Sequence, residues 1–188
     1  MRKRLSEVVA YMDSTRQALM AASAGATAVF ASMRPRDGAW SVAENLAHLA
    51  LVEDGVARLV ERSVEWGRSH GVRAEELDSS VMSSLDAFKL AELGSKRAAP
   101  EIVMPPRDAL MADALQSLGK SRVRLRAALV SADGMDLTRV TRAHPALGEL
   151  NVYQWAIFVA QHEERHRKQI ERTLRDVTES VAQCAPIL

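Results

Sequence analysis

Asn151-Val152-Tyr153-Gln154-Trp155-Ala156-Ile157-Phe158-Val159-Ala160-Gln161-His162-Glu163-Glu164-Arg165-His166-Arg167-Lys168-Gln169-Ile170 is the stretch on which the reading of this chain turns. It opens as a helix should, with Asn151 at N-cap and Gln154 at N3. Helical residues advance about 100° each, so His162 and His166 lie about 40° apart on one face. Trp155, Phe158, Val159 and Ile170 share that arc. Both imidazoles therefore point to where a core should be. A single histidine on an apolar stripe is ordinarily a core residue with one hydrogen-bond partner. Two on the same stripe cost on the order of 1–3 kcal/mol each if left unpaired. One metal ion shared by H-x-x-x-H on a helix offsets both costs. The helix is expected to run on to about Val181.

The second informative stretch is Ser41-Val42-Ala43-Glu44, an S-x-x-E capping box. A helix should start at Val42, run to about Glu65 and end near Gly67. His48 lies seven residues past the cap, at the edge of the stripe made by Leu46, Leu49, Val52 and Val56. If this helix faces the last one, His48 is the natural third ligand beside His162 and His166. Glu53 falls in the centre of the same apolar arc, where a carboxylate needs a partner. Two readings stand for it: a buried salt bridge to one of the many arginines, or a site group that orients a histidine N–H or acts as a substrate-side base. His70, among polar residues beside Gly67 and Gly71, reads as solvated. His144, before Pro145, reads as a structural or solvent-facing loop residue.

Outward from these two helices, Leu5 to Met33 reads as a first helix, ended by Arg34-Pro35-Arg36-Asp37-Gly38. Val81, Leu85, Phe88 and Leu93 have roughly helical spacing, so Ser69 to Gly94 reads as an extra helical segment. Gly94 to Pro106 reads as a loop broken by three prolines. A further helix begins near Arg107 and carries Leu110, Ala114, Leu118 and Leu125. Ser131 to Gly148, with Asp133-Gly134 and His144-Pro145, reads as a connection. No segment alternates with period two for long enough to suggest a strand. The expected fold is all-α: a four-helix, up-and-down bundle with an extra helical segment in the middle connection, as a single domain over residues 1–188.

Composition agrees. The 188 residues suit one domain, which at this size buries roughly 70% of its unfolded surface and needs no staple. Apolar residues make up 47% and aromatics only 4%, which favours helices over sheets. With 25 Lys plus Arg against 24 Asp plus Glu, a strongly basic nucleic-acid binder is not expected. The alternating run Arg122-Val123-Arg124-Leu125-Arg126 reads as a solvated helix face. The one cysteine, Cys184, cannot form an intrachain disulfide and has no neighbouring histidine to activate it, which points to a reducing cytoplasm. After the basic start Met1-Arg2-Lys3-Arg4, Glu7, Asp13 and Arg16 interrupt any signal-like apolar run, and no stretch reaches the length of a membrane span. Gly119-Lys120-Ser121 matches the end of a P-loop, but Ala114 stands where its first glycine belongs. His162-Glu163-Glu164-Arg165-His166 also matches the H-E-x-x-H of metalloproteases, with Glu163 as general base. The metzincin continuation fails, because Gln169 and Arg172 occupy its glycine and third-histidine positions.

Three blocks then carry a family resemblance. Gly38-Ala39-Trp40-Ser41-Val42-Ala43-Glu44-Asn45-Leu46-Ala47-His48-Leu49 resembles the start of the second helix of the DinB/YfiT-like superfamily. His144-Pro145-Ala146-Leu147-Gly148-Glu149-Leu150-Asn151 resembles its lead-in to the last helix, and Gln154 to Ile170 that helix itself. The resemblance implies a four-helix bundle holding a divalent metal on three histidines, matched here by His48, His162 and His166. It also implies thiol-dependent transferase or isomerase chemistry with a low-molecular-weight thiol, and pairing of some members as homodimers. Three neutral imidazoles leave open coordination positions, as catalytic sites do, and suit zinc, nickel or iron. The expected protein is a cytoplasmic, metal-dependent thiol transferase or hydrolase. The metal would activate a thiol or water against a small electrophilic substrate, with Glu53 as a candidate catalytic group. A non-catalytic metal- or ligand-binding stress-response bundle is the alternative, and a structural helical dimer the third.

Overall fold

The computed structural model describes residues 1–93 and 98–184. Four long helices form the bundle: α1 (Lys3–Ser23), α3 (Val42–Ser69), α4 (Met111–Ser131) and α5 (Val152–Cys184), with a one-turn helix α2 (Ala28–Ser32) after the first. α1 packs chiefly on α5 and α3 on α4, and the contact of α3 with α5 joins the two pairs. One apolar cluster includes Leu5, Met12, Val60, Leu129, Tyr153 and Ile157; a second includes Leu19, Val42, Leu46, Leu118 and Ile170. No helix among the described residues is long and apolar enough to cross a membrane.

Both expected caps are present. Ser41 Oγ accepts the Glu44 N–H at 3.2 Å, and the Glu44 carboxylate accepts the Ser41 N–H at 2.8 Å. Asn151 Oδ1 accepts the Gln154 N–H at 3.0 Å, and Gln154 Oε1 returns the bond to the Asn151 N–H at 3.0 Å. These two boxes set the starting points of the helices that carry the histidines.

Four expectations are corrected. The helix read over Leu5–Met33 is two helices. The chain leaves α1 at Ser23, passes Gly25, and restarts where Thr27 Oγ1 accepts the Phe30 N–H at 3.3 Å. The middle connection is mostly irregular rather than helical, with a 3-10 helix at Met82–Phe88 that buries Leu85. Its serines compete for the backbone, since Ser80 Oγ takes the Met82 N–H, and Lys89 at φ 48° ends the turn. The connection is fastened instead by buried polar bonds. Arg4 donates to the Glu75 carboxylate and to the Ser79 carbonyl, and Tyr153 OH donates to Glu75 at 2.8 Å. The fourth helix begins at Met111, after an extended Leu110. Two short strands do occur: β1 (Thr141–His144) pairs antiparallel with β2 (Gly148–Asn151), with Arg142 opposite Leu150. Four residues are too few for alternation to register. Residues 94–97 of the expected loop and the Cys184 side chain lie outside the described residues.

One ionic group ties all four long helices together. Arg16 of α1 donates to Glu163 of α5 at 2.5 Å and to Glu53 of α3 at 2.8 Å. Arg122 of α4 donates to Glu53 at 2.6 Å and to Glu163 at 3.1 Å. Ser121 adds a bond to Glu53 at 2.7 Å, and Thr15 one to Glu163 at 2.8 Å. Burial works against the Arg16 charge, yet Glu163 and Glu53 outweigh it and raise its pKa. Replacing Glu53 with Ala leaves two guanidinium groups short of a counter-charge. It should destabilise the protein by about 3–5 kcal/mol in urea denaturation, far beyond the loss of an exposed ion pair.

Candidate metal centre

The α3 cap places His48 two turns into its helix, and α5 carries His162 and His166 on consecutive turns of the facing one. The candidate ligand atoms of the three histidines all lie within 4.8 Å of one another. His162 Nε2 is 3.4 Å from His48 Nε2 and 3.2 Å from His166 Nε2. Nitrogens bound tetrahedrally to an ion at zinc distances stand about 3.3–3.4 Å apart, so two of the three separations match those of a metal site.

The tautomers agree with that geometry. His48 Nδ1 lies 2.7 Å from the Val103 carbonyl oxygen. A carbonyl only accepts, so Nδ1 carries the hydrogen and Nε2 keeps its lone pair. His166 Nδ1 lies 2.8 Å from Asn45 Oδ1. The Asn45 amide is oriented in turn, because its Nδ2 donates to the Ser41 carbonyl at 2.8 Å. Two lone pairs thus converge on His162 Nε2 within a largely buried space, an arrangement that a cation resolves. Burial lowers the pKa of His48, with the Val103 bond opposing it. Burial also holds His166 well below the ordinary histidine value, helped by the nearby His162, His48 and Arg165. Both imidazoles are held in the neutral, ligating form.

Aromatic rings close over the cluster. The Trp40 ring lies 4.8 Å from that of His48 and stacks at 6.1 Å on that of His166. Phe158 stacks on His162 at 5.4 Å. Beside His162, a small cavity is lined by Arg16, Leu49, Glu53, Val159 and Glu163 among others.

The structure therefore brings together all three histidines expected from the sequence. Glu53 takes the salt-bridge alternative: both carboxylate oxygens are engaged by Arg16, Arg122 and Ser121. Glu163, the general base of the H-E-x-x-H reading, is engaged in the same way by Thr15, Arg16 and Arg122. His70 is exposed beside the Trp66 carbonyl. His144 is half-buried on β1, its Nδ1 accepting the Ala146 N–H at 3.1 Å and its ring 4.8 Å from Phe158. Sequence reasoning passed over Asn45, Trp40 and the Val103 carbonyl. Asn45 had a signal, standing one turn before His48 as a polar residue near the helix start. A backbone carbonyl 55 residues away has none.

A four-helix bundle with three histidines converging from two facing helices defines a class of candidate metal-binding proteins. This chain belongs to the DinB superfamily, whose family model matches residues 11–170. It is 26% identical over 141 residues to the uncharacterized protein YuaE of Bacillus subtilis (strain 168), covering 74% of this chain and 80% of that protein. It also shares its fold with TT2238, described as a four-helix bundle protein. The crystal structure of TT2238 matches with a TM-score of 0.59 and 24% identity, over 89% of this chain and 98% of that one.

Asn45→Leu should remove the hydrogen-bond acceptor of His166 while keeping the side-chain volume similar. Zinc affinity measured by calorimetry should fall about 10–100-fold.

Proposed function

We propose that this protein is a metal-dependent enzyme. In this reading His48, His162 and His166 hold a divalent ion that activates a thiol or water against a small electrophile. The observation that carries the reading is the convergence of the three imidazoles, with His162 Nε2 3.4 Å from His48 Nε2 and 3.2 Å from His166 Nε2 and with Nδ1 of both His48 and His166 bonded to an acceptor. A divalent ion on three imidazoles keeps open coordination positions and lowers the pKa of a bound thiol or water.

The protein's own residues have defined tasks in this scheme. Asn45 and the Val103 carbonyl hold two imidazoles in the ligating tautomer. Trp40 and Phe158 cover imidazole faces and limit water there. Glu53, with Arg16, supports the wall it shares with His162 and does not transfer protons, since both its oxygens accept bonds from charged or hydroxyl donors. The donor set suits zinc, nickel or iron. The thiol-transfer chemistry rests on the family resemblance, which supplies the low-molecular-weight thiol as co-substrate.

The test is elemental analysis of untagged protein purified without an affinity metal column, beside His162→Ala. About one equivalent of a divalent metal is expected in the wild type, lost in the variant. Assays with glutathione, cysteine or water against a chromogenic aryl halide should then give turnover that scales with metal content. Bound metal without turnover would favour a non-catalytic metal-binding bundle. No metal, and none taken up on adding zinc, nickel or iron, would sink the proposal.

A further inference from the structure

His48 and His166 are oriented by partners of opposite mechanical character. Asn45, which orients His166, sits inside α3, is 2% exposed, and is itself bonded to the Ser41 carbonyl at the helix cap. That anchor moves only if the helix does. The acceptor for His48 comes from the connection between α3 and α4, where a single 3-10 turn, Glu101–Val103, presents the Val103 carbonyl. Among the described residues, the turn packs on α3 through a half-buried Val103 and is otherwise largely exposed. Ile102 is 87% exposed and Met104 48% exposed, and their apolar side chains contribute little burial. Among the described residues, it is closed by the Val103 N–H donating to the Pro100 carbonyl and the Met104 N–H to the Glu101 carbonyl, each at 3.0 Å. Pro105, buried behind it, is the nearest apolar anchor.

We infer that this turn is a working part of the metal centre, so that its docking against α3 and ligation by His48 are thermodynamically coupled. The inference rests on the metal-binding reading of the three histidines. With the turn docked, the His48 hydrogen is held on Nδ1 and the Nε2 lone pair faces His162. With the turn displaced, Nδ1 has no fixed acceptor, the imidazole is free to rotate or to carry its hydrogen on Nε2, and the ligand is lost. Coupling of this kind is reciprocal: metal must strengthen docking of the turn by the factor by which docking strengthens metal binding. The centre then has one fixed wall, made by α3 and α5, and one that closes as metal binds.

The experiment uses the full chain freed of metal, with zinc as the probe. Zinc affinity is measured by calorimetry in the wild type, in His48→Ala and in the combined Ile102→Gly, Val103→Gly, Met104→Gly variant. Backbone hydrogen exchange is followed with and without zinc. The Gly variant should keep its helical content and bind zinc about tenfold more weakly, the typical effect of losing a group that orients a ligand. In the wild type, zinc should slow exchange at the Val103 and Met104 amides by about the same factor. The Val140 amide is the reference. The Val140 side chain lies against Gly67, roughly 28 Å along α3 from His48, and its amide should not share that local effect. If the triple variant loses helicity, Val103→Gly alone serves for the affinity comparison. Failure of the wild type to bind zinc, nickel or iron would overturn the metal reading and this inference together. Zinc binding with unchanged exchange in the turn, or with unchanged affinity in the Gly variant, would overturn the coupling and leave the metal site standing.

Discussion

The constraint on which the rest of this structure depends is the square of charge formed by Arg16, Glu53, Arg122 and Glu163. Each long helix contributes one member, and each arginine touches both glutamates. Apolar side chains tolerate small axial slips between helices, because one methyl group replaces another at little cost. Buried charges do not, since a displaced partner leaves a charge without compensation. The square therefore fixes axial register among all four helices. That register is what the histidines need: Glu163 adjoins His162, and Glu53 follows His48 by about 7.5 Å of helix rise. A slip of one turn would move the imidazoles apart by more than the 4.8 Å that now bounds their ligand atoms.

Above that square the site is built by hydrogen bonds of decreasing range. The Ser41 cap starts α3 and also offers its carbonyl to Asn45, which orients His166. One residue thus joins helix initiation to ligand orientation. The Asn151–Gln154 box starts α5 in the same reciprocal way, fed by the short hairpin of β1 and β2. The hairpin is pinned from its far side as well, where Trp155 Nε1 donates to the Arg142 carbonyl at 3.3 Å.

What could be read from the sequence was local. Capping boxes act within three residues, and the helical arc of His162 and His166 is a matter of angle alone. Both survive without knowledge of the fold. His48 needed only the further assumption that two long helices face each other. Glu53 was recognisable as anomalous on its apolar arc, but its two partners lie 37 and 69 residues away, so its role as a strut was only one alternative. The middle connection is helical only over Met82–Phe88: of the helically spaced Val81, Leu85, Phe88 and Leu93, Leu85 is fully buried and Val81 packs partly buried on the core, while Phe88 and Leu93 are exposed. Long-range polar bonds from Arg4 and Tyr153 decide that segment, and spacing carries no trace of them. The break after Ser23 rests on equally local signals, Gly25 and the Thr27 cap, set among alanines that favour a helix.

The charge square also has an electrostatic consequence. Its two positive and two negative groups cancel, and an imidazole ligand brings no negative charge of its own. Among the described residues, the ligand cluster contains no carboxylate to offset a divalent ion, which would keep much of its double charge in a poorly solvated place. The guanidinium of Arg165 near His166 adds to the positive potential rather than reducing it. With an ion bound, such a site would discriminate by sign before shape: anions would be drawn to the remaining coordination positions, and neutral molecules that can shed a proton there would become anions on arrival. Carboxylate-rich metal sites, whose own ligands neutralise the ion, lack this selectivity.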